Sequence, residues 1–294
     1  MSRPAPRLAL AAALLLLVAA PAATAAEWSD MFVGWRYSNE VQDPNVGPDV
    51  TKNVLQAAVA NRYSLGSSFL NVDVLVSNAS DPANGAGSNG AQEIYVTYRH
   101  QLSFAKAFKA KVKKGLVRDV AFTAGLDLNA KNTGFAPGKQ AMVLGPTLNV
   151  NLPKGFLDLS ALYYKEWNHS AFGSPSKNVS FDGTAMLNAT WGVPIALGKS
   201  VSSTFKGFGN VIFPKGKDAS GIDTKTEVLV RTTWQVDVGQ VLFGKKGLLF
   251  VGPGWELWHH KFGNPTPLPP AVPGGPARPN HTTSAPTLQA EIHF

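Results

Sequence analysis

Apolar and polar side chains alternate with a period of two along most of this chain. The stretch FLNVDVLV at 69–76, for example, carries Leu70 and Val72 on one side and Asn71 and Asp73 on the other. Such alternation predicts a β-strand whose two faces meet different surroundings. In a soluble sheet the polar face would meet water, whereas in a membrane barrel the apolar face meets lipid and the polar face lines an enclosed interior. We interpret the pattern in the second sense.

The same pattern predicts an all-β fold, a transmembrane antiparallel β-barrel of about twelve strands. An even number is typical of single-chain bacterial outer-membrane barrels, as are long loops after odd strands and short turns after even ones. The basic connection after the fourth strand, at 104–114, departs from this asymmetry. The predicted strands lie at about 31–37, 53–61, 69–76, 93–102, 117–130, 141–151, 156–167, 181–191, 202–213, 224–238, 247–260 and 287–294.

The distribution of charge favours lipid over the core of a soluble β-sandwich or lipocalin-like protein. Charged residues such as Asp127, Glu166 and Arg231 fall on the polar faces, and the apolar faces carry hardly any charge. One Lys or Arg at mid-bilayer would cost about 2–4 kcal/mol. A soluble protein could leave the charged face in water, but about twelve strands in one curved sheet need closure or a split. Most of the 7 tryptophans also lie near strand ends, as aromatic girdles do.

Both ends of the chain carry features of an envelope protein. In residues 1–26, Arg3 and Arg7 precede an apolar run and a small-residue cleavage site, the pattern of a secretory signal peptide. The apolar run is too short for a convincing transmembrane helix. We therefore predict a signal peptide at 1–26 and an outer-membrane barrel at 27–294. The last strand ends in Phe294, a feature that such barrels present to the barrel-assembly machinery, so we expect that partner to engage this strand.

The amino-acid composition limits the kinds of site and partner that the protein can have. The 294 residues include no cysteine, which excludes disulfides and thiolate metal sites. The net charge of +8 falls by two once Arg3 and Arg7 are removed, and the spread of the remaining basic residues argues against nucleic-acid binding. The lysines at 106–114 either meet acidic lipid or lipopolysaccharide or form a solvated connection, and charge runs favour the second. His259 and His260 point to opposite faces of a strand, so we predict no metal and no cofactor.

Four stretches of the chain resemble the nucleoside-specific channel-forming family (Tsx-type) of Gram-negative outer membranes. They are WSD at 28–30, FLNVDVLVSNASDPANGAG at 69–87, AQEIYVTYRHQLS at 91–103 and LVRDVAFTAGLDLNAKN at 116–132. The terminal strand fits the family as well. The order of segments is similar over nearly the whole mature chain, whereas the residues themselves are similar only in the first half. The proline-rich segment at 265–279 departs from the family's pattern. The resemblance implies a monomeric twelve-stranded barrel with a narrow polar pore that passes nucleosides, and some relatives serve as phage or colicin receptors.

A nucleoside combines an aromatic base with a hydroxyl-rich sugar. A selective pore therefore needs aromatic faces that stack on the base and charged or amide groups that bind the sugar. Opposed charges would restrict the bore; alternatively, the same charges form a static salt-bridge network that neutralises a filled interior. The inward-facing candidates are Phe69, Asn71, Asp73, Tyr95, Arg99, Asp127, Asp158, Tyr164, Glu166, Glu227, Arg231 and Asp237.

Two other functions stay open beside the passive channel. One is a non-conducting envelope or receptor barrel with a plugged lumen. The other is an outer-membrane lipase, because such phospholipases use a serine, histidine and asparagine on the outer face of a similar barrel. Only His100 lies mid-strand on the predicted lipid face, and no serine partner with a nucleophile-elbow context can be named. We therefore predict a channel and no enzyme.

Overall fold

Antiparallel pairing runs around the whole sheet and back to its start. The structure, a computed structural model, describes residues 26–81, 90–112, 114–132, 137–170, 177–198, 201–270 and 274–294. Within these residues, twelve long strands form a closed barrel in which the first strand pairs with the last and the sixth with the seventh. The predicted barrel of about twelve strands is confirmed. The predicted signal peptide, apart from Ala26, lies outside the described residues.

The described ranges contain thirteen strands, two short helices and one 3₁₀ turn. One strand, β8, is a four-residue piece that pairs with the end of β7 and continues the line of β9. The helices are α1 (Phe104–Ala107) and α2 (Val238–Phe243), and the 3₁₀ turn spans Lys261–Gly263. The strands are β1 (Ala26–Val41), β2 (Val50–Tyr63), β3 (Gly66–Ser77), β4 (Gln92–Ser103), β5 (Val117–Lys131), β6 (Gly138–Val150), β7 (Phe156–Ser170), β8 (Lys177–Ser180), β9 (Thr184–Ala196), β10 (Ser202–Ile212), β11 (Glu227–Asp237), β12 (Leu249–His259) and β13 (Thr283–His293).

The two faces of the sheet are inverted relative to a soluble protein. On β5, Phe122 and Leu126 expose 53% and 50% of their surface, whereas Thr123 and Asp127 expose only 3% and 6%. Apolar side chains therefore face outward, and polar side chains are enclosed. This is the arrangement of a transmembrane β-barrel, and an even number of strands in one chain is that of the bacterial outer membrane. The protein is a bacterial outer-membrane barrel.

The predicted asymmetry between the two ends of the barrel holds in part: 64–65, 151–155 and 197–201 are short, but 104–116 and 238–248 at the same end are long. The turn end carries Ala26 and Phe294, and two of its connections contain α1 and α2. No helix among the described residues is long and apolar enough to cross a membrane. Connections at the turn end are 64–65, 104–116, 151–155, 197–201 and 238–248, and those at the opposite end, the loop end, are 42–49, 78–91, 132–137, 171–176, 213–226 and 260–282.

The first and last strands are longer than predicted. β1 covers Ala26–Val41 rather than 31–37, and β13 begins at Thr283 rather than 287. Polar residues interrupt the alternation in these extensions, but the ladders with neighbouring strands still pair their backbone groups. Strand ends can therefore be set by the partner strand, which a local hydrophobic pattern does not reveal.

The predicted eighth strand is wrong at its start. β8 and β9 leave residues 181–183 between them, and this break interrupts the ladder with β7. Alternation does not carry across the break. Phe181, predicted on the lipid side, is buried instead, with its ring centre 4.4 Å from Lys215 Nζ.

Candidate functional site

The first polar cluster of the lumen joins β1, β2 and β3. Arg36 Nη2 lies 3.0 Å from Asp73 Oδ2, and both side chains are buried. Asn71 donates to Asp73 Oδ1 at 2.9 Å and accepts from Gln56 at 2.6 Å. Since β2 lies between β1 and β3, Arg36 reaches its partner over the inside of the barrel wall. The cluster fixes a positive and a negative group at the lumen surface.

A bidentate ion pair lies on the neighbouring wall. Arg99 donates from Nη1 and Nη2 to the two carboxylate oxygens of Asp127, at 3.0 and 2.9 Å. The same Nη1 also bonds the carbonyls of Tyr98 and Leu126 at 2.9 and 3.1 Å. Parallel N–H···O bonds of this kind fix both the direction and the position of a guanidinium. Phe69 is the cross-strand partner of Arg99 and shares its inner face.

Two lysines and two tyrosines surround Glu166. Tyr164 donates to its carboxylate, and the Nζ atoms of Lys215 and Lys139 lie 2.5 and 3.8 Å from Oε2. Lys139 Nζ is also 5.9 Å from the ring centre of Tyr95 and 5.7 Å from that of Tyr164, within the range of cation–π attraction. Lys215 comes from the connection between β10 and β11, so a loop residue contributes its side chain to this part of the lumen wall.

A third arginine–carboxylate pair joins β11 to β12. Arg231 donates from Nε and Nη2 to Glu256 Oε2, at 2.8 and 2.6 Å. The guanidinium also lies 5.5 Å from the ring centre of Phe208 on β10. An arginine held between a carboxylate and an aromatic ring has its plane fixed. This wall therefore offers a flat cation and an adjacent ring to the lumen.

A buried carboxylate lies between two lysines at the loop end of the lumen. Asp43 lies 2.9 Å from Lys52 Nζ and 2.5 Å from Lys261 Nζ. Burial alone would raise the pKa of the Asp43 carboxyl, but the charges of Lys261 and Lys52 outweigh it and hold that pKa below its ordinary value. Burial lowers the pKa of the Lys261 ammonium, although Asp43 opposes the effect. This cluster ties the loop after β1 to the loop after β12.

One predicted residue lies closer to the turn end. Asp158, near the start of β7, accepts hydrogen bonds from Arg118 at 3.1 Å and from Asn149 at 2.7 Å. Arg118 is near the start of β5, so the contact reaches over β6 inside the barrel. It places another paired charge on the lumen wall.

Two further predicted residues anchor the ends of β11. Glu227 accepts a 2.7 Å hydrogen bond from Trp258 Nε1 at the loop end. Asp237 caps α2 at the turn end, where its carboxylate accepts from the backbone N–H groups of Gln240 at 3.3 Å and Gly247 at 2.7 Å. Their carboxylates organise neighbouring turns, so of the three predicted residues on β11 only Arg231 lies in the middle of the lumen wall.

The cross-strand register puts all twelve predicted candidates on the inner face, and their contact with a solute stays a prediction. Asn71 with Asp73, Arg99 with Asp127, and Tyr95 with Tyr164 and Glu166 form three of the clusters described above. The ladders that set these faces are those of β3, β4, β5, β7 and β11.

Sequence reasoning missed several basic residues of the lumen, and five of them show why. Arg36 lies between outward-facing Trp35 and a second aromatic residue, so alternation could have found it. Lys139 lies just before the predicted strand at 141–151. Lys206 lies in the predicted strand at 202–213, where the alternation is least regular. Lys215 and Lys261 come from loops, for which no periodic signal exists.

Part of the lumen wall is apolar, which the sequence analysis did not predict. Val143, Leu162, Met186 and Ile212 form one buried cluster on β6, β7, β9 and β10. They alternate with outward-facing residues and so belong to the inner face. The lumen thus has an apolar wall beside its charged walls.

His100, the histidine that a lipase would need, lies within hydrogen-bond distance of two tyrosine hydroxyls. His100 Nε2 lies 2.5 Å from the Tyr63 hydroxyl, and Nδ1 lies 3.4 Å from the Tyr98 hydroxyl. Neither ring nitrogen is left to activate a serine. Among the described residues, no group of histidine, aspartate and glutamate side chains could hold a metal ion.

Comparisons with known proteins find similarity in solved structures alone. No family model matches the chain, and no curated protein matches it. The translocator domain of autotransporter NalP from Neisseria meningitidis is 10% identical, with 98% of this chain and 96% of that one covered and a TM-score of 0.46. The NanC porin is 9% identical, with 91% and 99% covered and a TM-score of 0.42. An anion-selective porin from Comamonas acidovorans is 9% identical, with 91% and 99% covered and a TM-score of 0.33. Since these TM-scores lie below 0.5, we infer the function from the barrel itself.

Proposed function

We propose that the protein is a passive outer-membrane channel with a narrow polar lumen that passes small polar solutes. The observation that carries this proposal is the set of opposed charges held on the lumen wall, Arg36 with Asp73, Arg99 with Asp127 and Arg231 with Glu256. Fixed charges and rings lining a bore select solutes by size, hydrogen bonding and charge. A wall meant only to fill space could be built from apolar side chains at lower desolvation cost.

Nucleosides are the solutes that we propose for this channel. The rings of Tyr95 and Phe208 are half-buried and lie beside lumen cations, so a base could stack on them while its sugar hydroxyls bind charged groups. The resemblance of the first half of the chain to nucleoside-specific channels supports the same solute.

Liposome swelling tests both levels of the proposal. Proteoliposomes are exposed to nucleosides and to neutral sugars of similar mass, and Phe208→Ala serves as the ring-deleted variant. We expect faster swelling with nucleosides, and a smaller difference for the variant. Equal rates for the two solute classes would remove nucleoside selectivity, whereas absence of swelling with every solute would remove the channel.

A non-conducting barrel is the second candidate, and the packing of the lumen favours it. Gln235, Thr147 and Asp237 each expose 0% of their surface although they face the interior. Such burial is expected when polar side chains fill a barrel. Planar bilayers distinguish the two functions, because a plugged barrel inserts without producing current steps.

We propose the remaining partners from the location of each part of the barrel relative to the membrane. Phe294 is exposed at the turn end, where the assembly machinery could bind the last strand. The apolar outer surface contacts membrane lipid, and lipopolysaccharide would surround its loop end. A monomer remains the expected oligomeric state.

A further inference from the structure

A small cavity lies inside the loop end of the barrel. Its volume is about 50 Å³, and Arg36, Arg231 and Glu256 contribute to its lining. Lys52 and Lys261 also line it. A space of this size holds a few non-hydrogen atoms, because one water occupies about 30 Å³ in the liquid. A monatomic ion or a carboxylate group would fit, whereas a nucleoside would not.

Cations outnumber anions around this cavity. Four cationic side chains line it, and they contact three carboxylates: Asp73 for Arg36 at 3.0 Å, Glu256 for Arg231 at 2.6 Å, and Asp43 for both lysines at 2.9 and 2.5 Å. Four cationic side chains therefore share three contacting carboxylates, and Glu93 and Asp81 act on Lys52 from a greater distance. Each arginine has five N–H donors, and the pairs with carboxylates leave some of them for another acceptor.

An unpartnered hydroxyl supplies a second, independent observation. Thr287 lines the same cavity and is only 7% exposed. Its Oγ1 has no hydrogen-bond partner among the described residues. Buried polar atoms in proteins are normally bonded, so this hydroxyl has room to donate to a further acceptor.

We propose that this cavity binds one small monovalent anion, a halide or the carboxylate group of a solute. The anion would accept hydrogen bonds from the arginine N–H groups and from the Thr287 hydroxyl. Combined with the proposed channel, on which this part rests, the site makes the ionic current anion-selective. Anion binding itself does not depend on conduction.

Thermal unfolding of the full-length protein in detergent tests binding. Gluconate, which is too large for the cavity, is replaced by chloride or by formate at constant ionic strength. We expect a saturable rise in the unfolding midpoint, since a ligand that binds the native state stabilises it. A response to chloride alone indicates an inorganic ion, and a stronger response to formate indicates a carboxylate site. A midpoint that is the same in all three anions would overturn the proposal.

Two variants localise the effect. Thr287→Val keeps the shape of the side chain, and we expect anion affinity to fall about three- to tenfold through loss of one hydrogen bond. Arg231→Gln/Glu256→Gln removes a whole ion pair without leaving a lone buried charge, and we expect it to abolish the response. Lys217→Gln is the control, because its pair with Asp223 is exposed. An anion response that is unchanged in Thr287→Val and in the double variant would place the anion elsewhere and refute the assignment.

Reversal potentials across a salt gradient separate this proposal from the channel itself. Anion preference in the wild type that is reduced in Thr287→Val supports both. A silent bilayer together with saturable anion binding supports the site and contradicts the channel. Conduction without anion binding leaves the channel standing and overturns the site.

Discussion

Lys206 on β10 donates a hydrogen bond to the carboxylate of Glu291 on β13, although two strands lie between them in the barrel wall. The carboxylate also accepts from Gln289 at 2.6 Å and lies 3.1 Å from His293 Nε2. Lys206 Nζ is 5.2 Å from the ring centre of Phe32 on β1. The Lys206 side chain therefore extends over part of the lumen and reduces its cross-section.

Removing this crossing contact should open the lumen. For Lys206→Gln we expect a larger single-channel conductance and a loss of about 1–3 kcal/mol of stability, because buried Glu291 keeps only two of its partners. Bilayer recordings and urea unfolding in lipid vesicles measure the two effects. Lys217→Gln removes an exposed pair and should change neither. Unchanged conductance in Lys206→Gln would show that the contact does not limit the bore.

Geometry as well as charge should matter at Arg99. Arg99→Lys keeps the charge, but a lysine cannot make the two parallel hydrogen bonds to Asp127. We expect a loss of about 1.5–3 kcal/mol, the contribution of a hydrogen bond to a charged group. A double-mutant cycle with Asp127→Asn measures the coupling. Independent, additive effects of the two substitutions would contradict the bidentate pair.

A charge on the outer face should be costly only at membrane depth. Leu126→Arg near the middle of β5 should lower the free energy of unfolding by about 2–4 kcal/mol. Leu116 is 79% exposed in the connection before the same strand, so Leu116→Arg should cost roughly 0–1 kcal/mol. Urea titrations in lipid vesicles give both values. Equal costs would place Leu126 outside the hydrocarbon region.

The cluster at the loop end should make stability depend on acid. Because the pKa of folded Asp43 lies below its unfolded value, the stabilisation is fully present above the unfolded pKa, about 3.9. It is lost as the pH falls through the folded pKa. Thermal unfolding between about pH 6 and pH 2 should therefore show a drop in wild type that is smaller in Asp43→Asn. Parallel curves for the two proteins would assign the acid sensitivity to other carboxylates.

Alternation along each strand is a local property, and it was enough to predict the inverted sheet. Thr123 and Asp127 face inward and Phe122 and Leu126 outward as expected, since successive side chains of any strand point to opposite faces. The count of twelve strands followed from the same pattern. Alternation also placed Asp73, Arg99 and Arg231 on the inner face, but it did not identify the oppositely charged partner of each.

The contacts inside the lumen between distant strands and loops depend on the tertiary structure. Lys215 and Lys261 enter from loops, and Lys206 meets a carboxylate two strands beyond its neighbour. Phe181 turned inward because the ladder breaks before β9. Such contacts depend on barrel curvature and on the path of long connections, which bring together residues far apart in the chain. No periodicity within one strand encodes such contacts, so the local pattern sets which face each side chain joins and the fold sets which groups the enclosed charges touch.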